Sequence, residues 1–319
     1  MQNKNNMAKK IILNIMVLTV LASLSSCLKN KFDVINPKDS PSVIEFKMLT
    51  APSPLTPEGS LYTAYRYTYV DAPSVTGTYL VQITGPDPAP QDITVNIGVK
   101  AGAVAAFNAE KQSVNPSYVG FTDMPSSLYT IETPTVVIKA GQRAAEVKVS
   151  FKTTDFDYDK NYALPISITS TNYATVSGNF GTIFLNIGVK NAFDGVYTLE
   201  EGSKVIRYTA PGVPANDALS GSIAGNTPVQ LQTINKYTVE IVGLKWAGNA
   251  SGVAGIDNLR VTVNPATNLC TVFALGNGTL ANTAGKTNSY DPATKTYTLN
   301  FDWGPTPREM TLILKYKED

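Results

Sequence analysis

An all-β protein built from two successive modules is predicted by three features of this 319-residue chain. Its composition leans toward Thr, Val, Tyr and Ile, whose branched or aromatic side chains suit a pleated, half-buried surface. Apolar and polar residues alternate with a period of two through segment after segment, which sends one set to each face of a sheet. Outside the N-terminal leader only AGAVAAFNAEK, beginning at Ala101, has the composition of a helix.

The leader comes first. MQNKNNMAKK carries three lysines and no acid, and Ile11 to Leu24 then runs without a charge. A basic head, a short apolar run and small residues at its end predict a secretory signal peptide over residues 1–26. A transmembrane anchor would need about 20 apolar residues, and this run stops short. The ending Leu24-Ser25-Ser26-Cys27 resembles a bacterial lipobox, so Cys27 is predicted to be the lipidated N-terminus of the mature chain. Each buried methylene contributes about 0.8 kcal/mol, so two or three acyl chains hold permanently. Residues 27–41, polar and ending near Pro37 and Pro41, read as the tether.

The first module is expected over residues 42–191. Ile44, Phe46 and Met48 alternate with Glu45 and Lys47, and Tyr65, Tyr67 and Tyr69 alternate with Arg66 and Thr68. The tyrosine ladder reads as a packed face, with an exposed aromatic strip as the alternative. NIGVK occurs at 96–100 and again at 186–190. The flanks differ, so the copies read as two strands of one sheet and not as a tandem repeat. TVVIKAG and AAEVKVSF follow the helix with Ala140-Gly141-Gln142 at a turn, and KNYALPISITS and GTIFLNIGVK complete a β-sandwich.

The second module is expected over residues 192–319, from GVYTLEE through KVIRYTA, KYTVEIVGLKW, NLRVTVN, CTVFAL and KTYTLNFDW to REMTLILKY. Asn264-Pro-Ala-Thr-Asn and Asp291-Pro-Ala-Thr-Lys share a turn grammar, Asn or Asp first and Pro second, that suits a type I turn in a hairpin. Sequential antiparallel strands that must hide their edges predict a barrel or a small sandwich.

Composition narrows the chemistry. The chain has no histidine, which removes Ser–His–Asp and Cys–His schemes and histidine metal sites. With residues 1–26 removed, 23 basic residues face 25 acidic ones, leaving no electrostatic footprint for nucleic acid. Asp155, Asp157 and Asp159 resemble the opening of a calcium loop. Lys160 and Ile166 stand where the turn glycine and the bidentate glutamate belong, so a solvated turn is the simpler reading. No Gly-rich phosphate loop is present, and no cofactor is expected. Cys270, in NLCTVFAL, reads as an inert buried thiol. No catalytic residue and no metal ligand is nominated, and the chain is expected not to be an enzyme.

Aromatic rings at a loop mouth are platforms for sugars, whose apolar faces stack on indole or phenol. Trp246 follows a phase slip at Gly243 and opens the small-residue loop AGNASGVAGIDN, which fits a platform or the core equally. Tyr290, before the second Pro-Ala-Thr turn, is a weaker candidate. Trp303 shares a face with Tyr297, Leu299 and Phe301, which favours packing, and completes the set of candidate glycan-binding residues.

Three passages together, DITVNIGVKAGAVAAFNAEK, DYDKNYALPISITS and GTIFLNIGVKNAFDGVY, resemble the N-terminal domain, of unknown function, of Bacteroidota cell-envelope lipoproteins from polysaccharide-utilisation loci. The likeness spans Ser42 to Asn191. The closing YDPATKTYTLNFDWGPTPREMTLILKY is similar, more loosely, to the lipocalin-like or β-barrel-like domain that follows in such proteins. The resemblance implies an immunoglobulin-like first domain and an outer-membrane lipoprotein. It also implies an accessory role in capturing a polysaccharide or oligosaccharide beside a transporter and a partner lipoprotein. Surface-exported relatives often carry acids just after the cysteine, whereas Leu28-Lys29-Asn30-Lys31 has none, so cell surface and periplasmic face both stay open. A structural or adhesive envelope protein that binds other proteins through a sheet edge or the tyrosines is the alternative.

Overall fold

The computed structural model describes residues 40–48, 55–56 and 60–318. Cys27 and most of the tether lie outside the described residues. The chain is all-β with a single α-helix among them. Strand β1 (Val43–Phe46) buries Ile44 and Phe46 completely, as its alternation requires. It is followed by β2 (Thr63–Val70), β3 (Val75–Thr84) and β4 (Ile93–Val99). Helix α1 (Ala103–Val114) starts behind Gly102, whose φ of +72° suits a residue without a side chain. Then come β5 (Thr122–Asp123), β6 (Tyr129–Ile131), β7 (Thr135–Ile138) and β8 (Ala144–Phe151). Strands β9 (Tyr162–Thr171), β10 (Thr175–Val176) and β11 (Thr182–Lys190) end the first half.

These strands form two packed sheets. One runs β10-β1-β3-β8-β6; the other runs β2-β11-β9-β4-β7, with β5 beside β9. The two NIGVK strands, β4 and β11, flank β9 in the same sheet, which explains why one sequence pattern serves twice. The turn at Ala140–Gln142 forms, but it does not join paired strands. β7 pairs with β4 in one sheet and β8 with β3 and β6 in the other, so this turn carries the chain across the sandwich. The tyrosine ladder faces the core: Tyr65 is fully buried, and Tyr67 and Tyr69 pack beside it against Tyr79 and Phe151. Helix α1 covers the outer face of the second sheet, where Phe107 meets Phe184, Ala163 and Ala64.

The second half continues with β12 (Gly195–Leu199), β13 (Lys204–Ala210), β14 (Val213–Pro214) and β15 (Gly221–Ser222). Next are β16 (Val229–Asn235), β17 (Thr238–Val242), β18 (Leu259–Val263) and β19 (Cys270–Ala274). The last are β20 (Ala281–Asn282), β21 (Ser289–Asp291), β22 (Thr296–Trp303) and β23 (Arg308–Tyr316). Their antiparallel ladder is a meander from β12 through β16, β17 and β18 to β19, and on the other side β12 meets β23, which meets β22. Both Pro-Ala-Thr turns make hairpins, β18–β19 and β21–β22. In each, the first side chain accepts from the backbone two residues on: Ala266 N to Asn264 Oδ1 and Ala293 N to Asp291 Oδ1, both 2.9 Å. Strand β16 was not among the expected strands.

The curled sheet must still satisfy its outer edge. At the far side of β19, Cys270 N donates to Asn288 O (2.9 Å) and Val272 N donates to Asn282 Oδ1 (2.9 Å). Asn288, buried at 5 % exposure, donates from Nδ2 to Asn282 Oδ1 and to Asn300 O, and its Oδ1 accepts from Asn300 N. Side-chain amides thus stand in for the missing ladder between β19 and β22, bringing the two ends of the sheet together. Inside lie Tyr197, Tyr297, Leu299, Phe301, Val261 and Leu312. Asn288→Ala leaves several of these buried backbone and side-chain groups without partners, each worth about 1–3 kcal/mol. A loss of about 3 kcal/mol is expected in urea unfolding, and a loss below about 0.5 kcal/mol would remove the amide closure as a stabilising device.

Candidate functional site

A cleft of about 680 Å³ opens beside β13 and is walled by Lys204, Ile206, Asn216, Asp217, Ser220 and Ser222 among others. Strand β13 supplies one wall through Lys204 and Ile206, while its alternate row, Val205 then Arg207, turns inward and sets a cation at the mouth of the sheet. The opposite wall is a turn fixed by Asp217. Its Oδ1 accepts from Leu219 N (3.0 Å) and from Ser220 Oγ (3.3 Å). Ser220 Oγ in turn accepts from Arg207 N (3.1 Å). Asn216, just before it, has φ +51°, a left-handed conformation that asparagine tolerates better than most residues.

Arg207 ties this turn to the interior. Its Nη1 pairs with Asp217 Oδ2, and its guanidinium lies 5.6 Å from the centre of the Trp246 ring. Trp246 stacks on Trp303 with ring centroids 6.1 Å apart and planes 23° apart, and Phe301 adjoins Trp303. Carboxylate, guanidinium and two indoles therefore form one column from the cleft into the core. Arg207 Nε and Trp303 Nε1 are buried with no hydrogen-bond partner among the described residues.

The structure brings together two of the three aromatic candidates and buries all three, as the packing reading of Trp303 expects and the platform readings of Trp246 and Tyr290 do not. Trp246, Tyr290 and Trp303 are 4 %, 7 % and 2 % exposed, so none offers a solvent-facing platform. The loop after Trp246 folds back over it: Trp246 N donates to Ser251 O, and Asn226 Nδ2 donates to Trp246 O (2.8 Å). Tyr290 belongs to a different cluster, with ring centroids 5.0 Å from Phe193 and 4.6 Å from Tyr297. The cleft residues were missed by sequence reasoning. Asn216-Asp217-Ala218-Leu219-Ser220 reads only as loop, and the one usable signal is Asp217 itself, a residue type whose side chain caps the backbone two residues on, here Leu219.

Asp157, from the acidic trio, accepts from Asp159 N (3.0 Å) and stays within its own turn. Cys270 is buried beside the same interior, and desolvation pushes its thiol up to about 12.

A family model for a "-like, N-terminal domain" matches residues 58–175, within the sandwich half. No curated protein matches the chain. Three solved structures are similar along most of their length. A protein of unknown function from Bacteroides ovatus is 12 % identical, with a TM-score of 0.54 over 87 % of this chain and 95 % of that one. A second from the same organism is 16 % identical, with a TM-score of 0.46 over 86 % and 93 %. An auxiliary nutrient binding protein from Bacteroides thetaiotaomicron is 16 % identical, with a TM-score of 0.39 over 79 % and 90 %. The first of these shares the fold.

Because the Cys270 thiol stays protonated far above neutrality, its nucleophilic thiolate is absent in the folded protein at about pH 8. A thiol reagent added to the chain from Ser40 onward should react only after denaturation; rapid labelling of the native protein would contradict the buried placement.

Proposed function

We propose that this chain is a non-catalytic carbohydrate-binding protein of the cell envelope, held to the outer membrane by lipid on Cys27. In this reading the first half is an immunoglobulin-like spacer, and the second, lipocalin-like half presents a polysaccharide or oligosaccharide ligand to a transporter and its partner lipoprotein. The observation that carries the reading is the cleft with its Arg207–Asp217 pair. It is concave, of a size for a few sugar units, and lined by amide, hydroxyl, ammonium and carboxylate groups, of which Asp217 and Ser220 are fixed by their own hydrogen bonds. Sugar hydroxyls are recognised by such pre-oriented donors and acceptors, which need no reorganisation on binding. The leader, with its small residues before Cys27, supports the address. An adhesive role through the tyrosine ladder is less favoured, because those rings face the sandwich core.

Titration calorimetry of the chain from Ser40 onward against a polysaccharide panel should find at least one glycan that binds. Asp217→Ala, which frees Arg207 and unfastens the turn, should weaken it about tenfold. Silence across the panel, or an unchanged affinity in the variant, would count against the cleft. Separately, mass spectrometry of the protein from its native host should find an N-terminus at Cys27 carrying acyl chains; an intact, unmodified leader would sink the anchoring.

A further inference from the structure

A second, smaller pocket of about 250 Å³ lies where the two halves meet, and no part of the preceding reading uses it. Its walls come from both sides. The sandwich contributes Arg66 of β2, Gly188 of β11 and Asp157, Lys160 and Asn161 from the segment before β9; the second half contributes Thr233 and Ile234 of β16. The seam itself is polar. Asp194 Oδ2 accepts from both Thr233 N and Thr233 Oγ1 (2.9 Å each), and Lys236 Nζ donates to Thr154 O (2.9 Å).

Arg66 is held in place from beneath. It sits in register with Asn186 on the neighbouring strand. Asn186 is 1 % exposed and donates from Nδ2 to Asn161 Oδ1 and Tyr162 O, 2.8 Å each. Its one remaining acceptor, Oδ1, takes a hydrogen bond from Arg66 Nη1 at 3.4 Å. Glycine at 188 is what leaves room for the guanidinium, because a Cβ there would stand 2.9 Å from Arg66 Nη2. The fork is therefore positioned by a buried amide and by a missing side chain. Among the described residues neither Arg66 nor Lys160 forms an ion pair. Of the groups around the pocket, Asp157 accepts from Asp159 N, and Tyr158 donates its phenol proton to Asp71 Oδ2 (3.1 Å).

Two cations without an ion pair, one an oriented planar fork, outnumber the one lining carboxylate, Asp157, and in a pocket too small for a chain of sugars they suit a single oxyanion group, carboxylate or sulfate. We propose that this junction pocket binds the oxyanion of an acidic saccharide, with Arg66 and Lys160 as its charge partners and Thr233 and Ile234 of the second half closing its wall. That an oxyanion binds stands on the pocket alone; that a saccharide carries it rests on the carbohydrate reading above.

Titrating the protein separately with glucuronate, inorganic sulfate and glucose, by calorimetry and thermal shift, tests both parts. Saturable binding of glucuronate and sulfate, with none for glucose, is expected. Arg66→Gln should weaken it about tenfold and Lys160→Gln less, whereas Asp217→Ala should leave it unchanged. Arg66 is exposed and Lys160 lies in a loop, and unchanged melting of each unliganded variant will confirm folding. Sulfate binding without glucuronate binding would keep the oxyanion and overturn its saccharide carrier. Binding of neither, equal binding of glucose, or indifference to Arg66→Gln would overturn the pocket assignment, whatever the polysaccharide panel returns for the cleft.

Discussion

A curled antiparallel sheet ends in two rows of backbone groups that need partners, and the second half of this molecule depends on how those rows meet. Regular pairing would have required a full strand opposite β19. The chain instead sends the short β20 and β21 past it and lets Asn282, Asn288 and Asn300 bridge the gap with side-chain amides. This closure keeps Tyr297, Phe301 and Trp303 buried, and that interior gives Trp246 a surface to stack on. The cleft follows from the same constraint, because Arg207 closes the column at the mouth and hands the geometry to Asp217.

Much of this was legible in the sequence, and the limits have physical causes. Period-two alternation located β4, β11, β18, β22 and β23, and the Pro-Ala-Thr turns announced their hairpins through side chains that satisfy their own backbone. Strand β16 escaped because VQLQTIN follows a proline and carries glutamines on its outward row, so it lacks the strand composition of its neighbours. The sheet crossing at Gly141 was invisible for a different reason: a turn looks the same whether the strands it joins pair together or part. Alternation also placed Trp303 among inward residues but could not say what covers Trp246. That depends on Arg207, far away in the chain, and on a loop of small residues with no periodicity to read.

The cleft and the junction pocket were the least legible of all. The junction pocket is assembled from segments distant in sequence, the cleft from one short stretch, 202–222, and their residues, Asn, Asp, Ser, Lys and Arg, are the ordinary residues of exposed loops. What distinguishes them is restraint. Asp217 is fastened by three donors, and Arg66 rests on an amide whose other bonds are already committed. Such restraint is a property of the fold, so a linear reading finds the residue types everywhere and the arrangement nowhere.

The place of β1 has a mechanical meaning. It lies between β3, antiparallel, and β10, parallel, and its ladder bonds to β3 run perpendicular to the chain. A pull directed along this strand loads those bonds together, so they resist shearing as a set and do not peel away singly. Its pairing with β3 gives the N-terminal end of the sandwich more resistance to shear along β1 than to peeling across it.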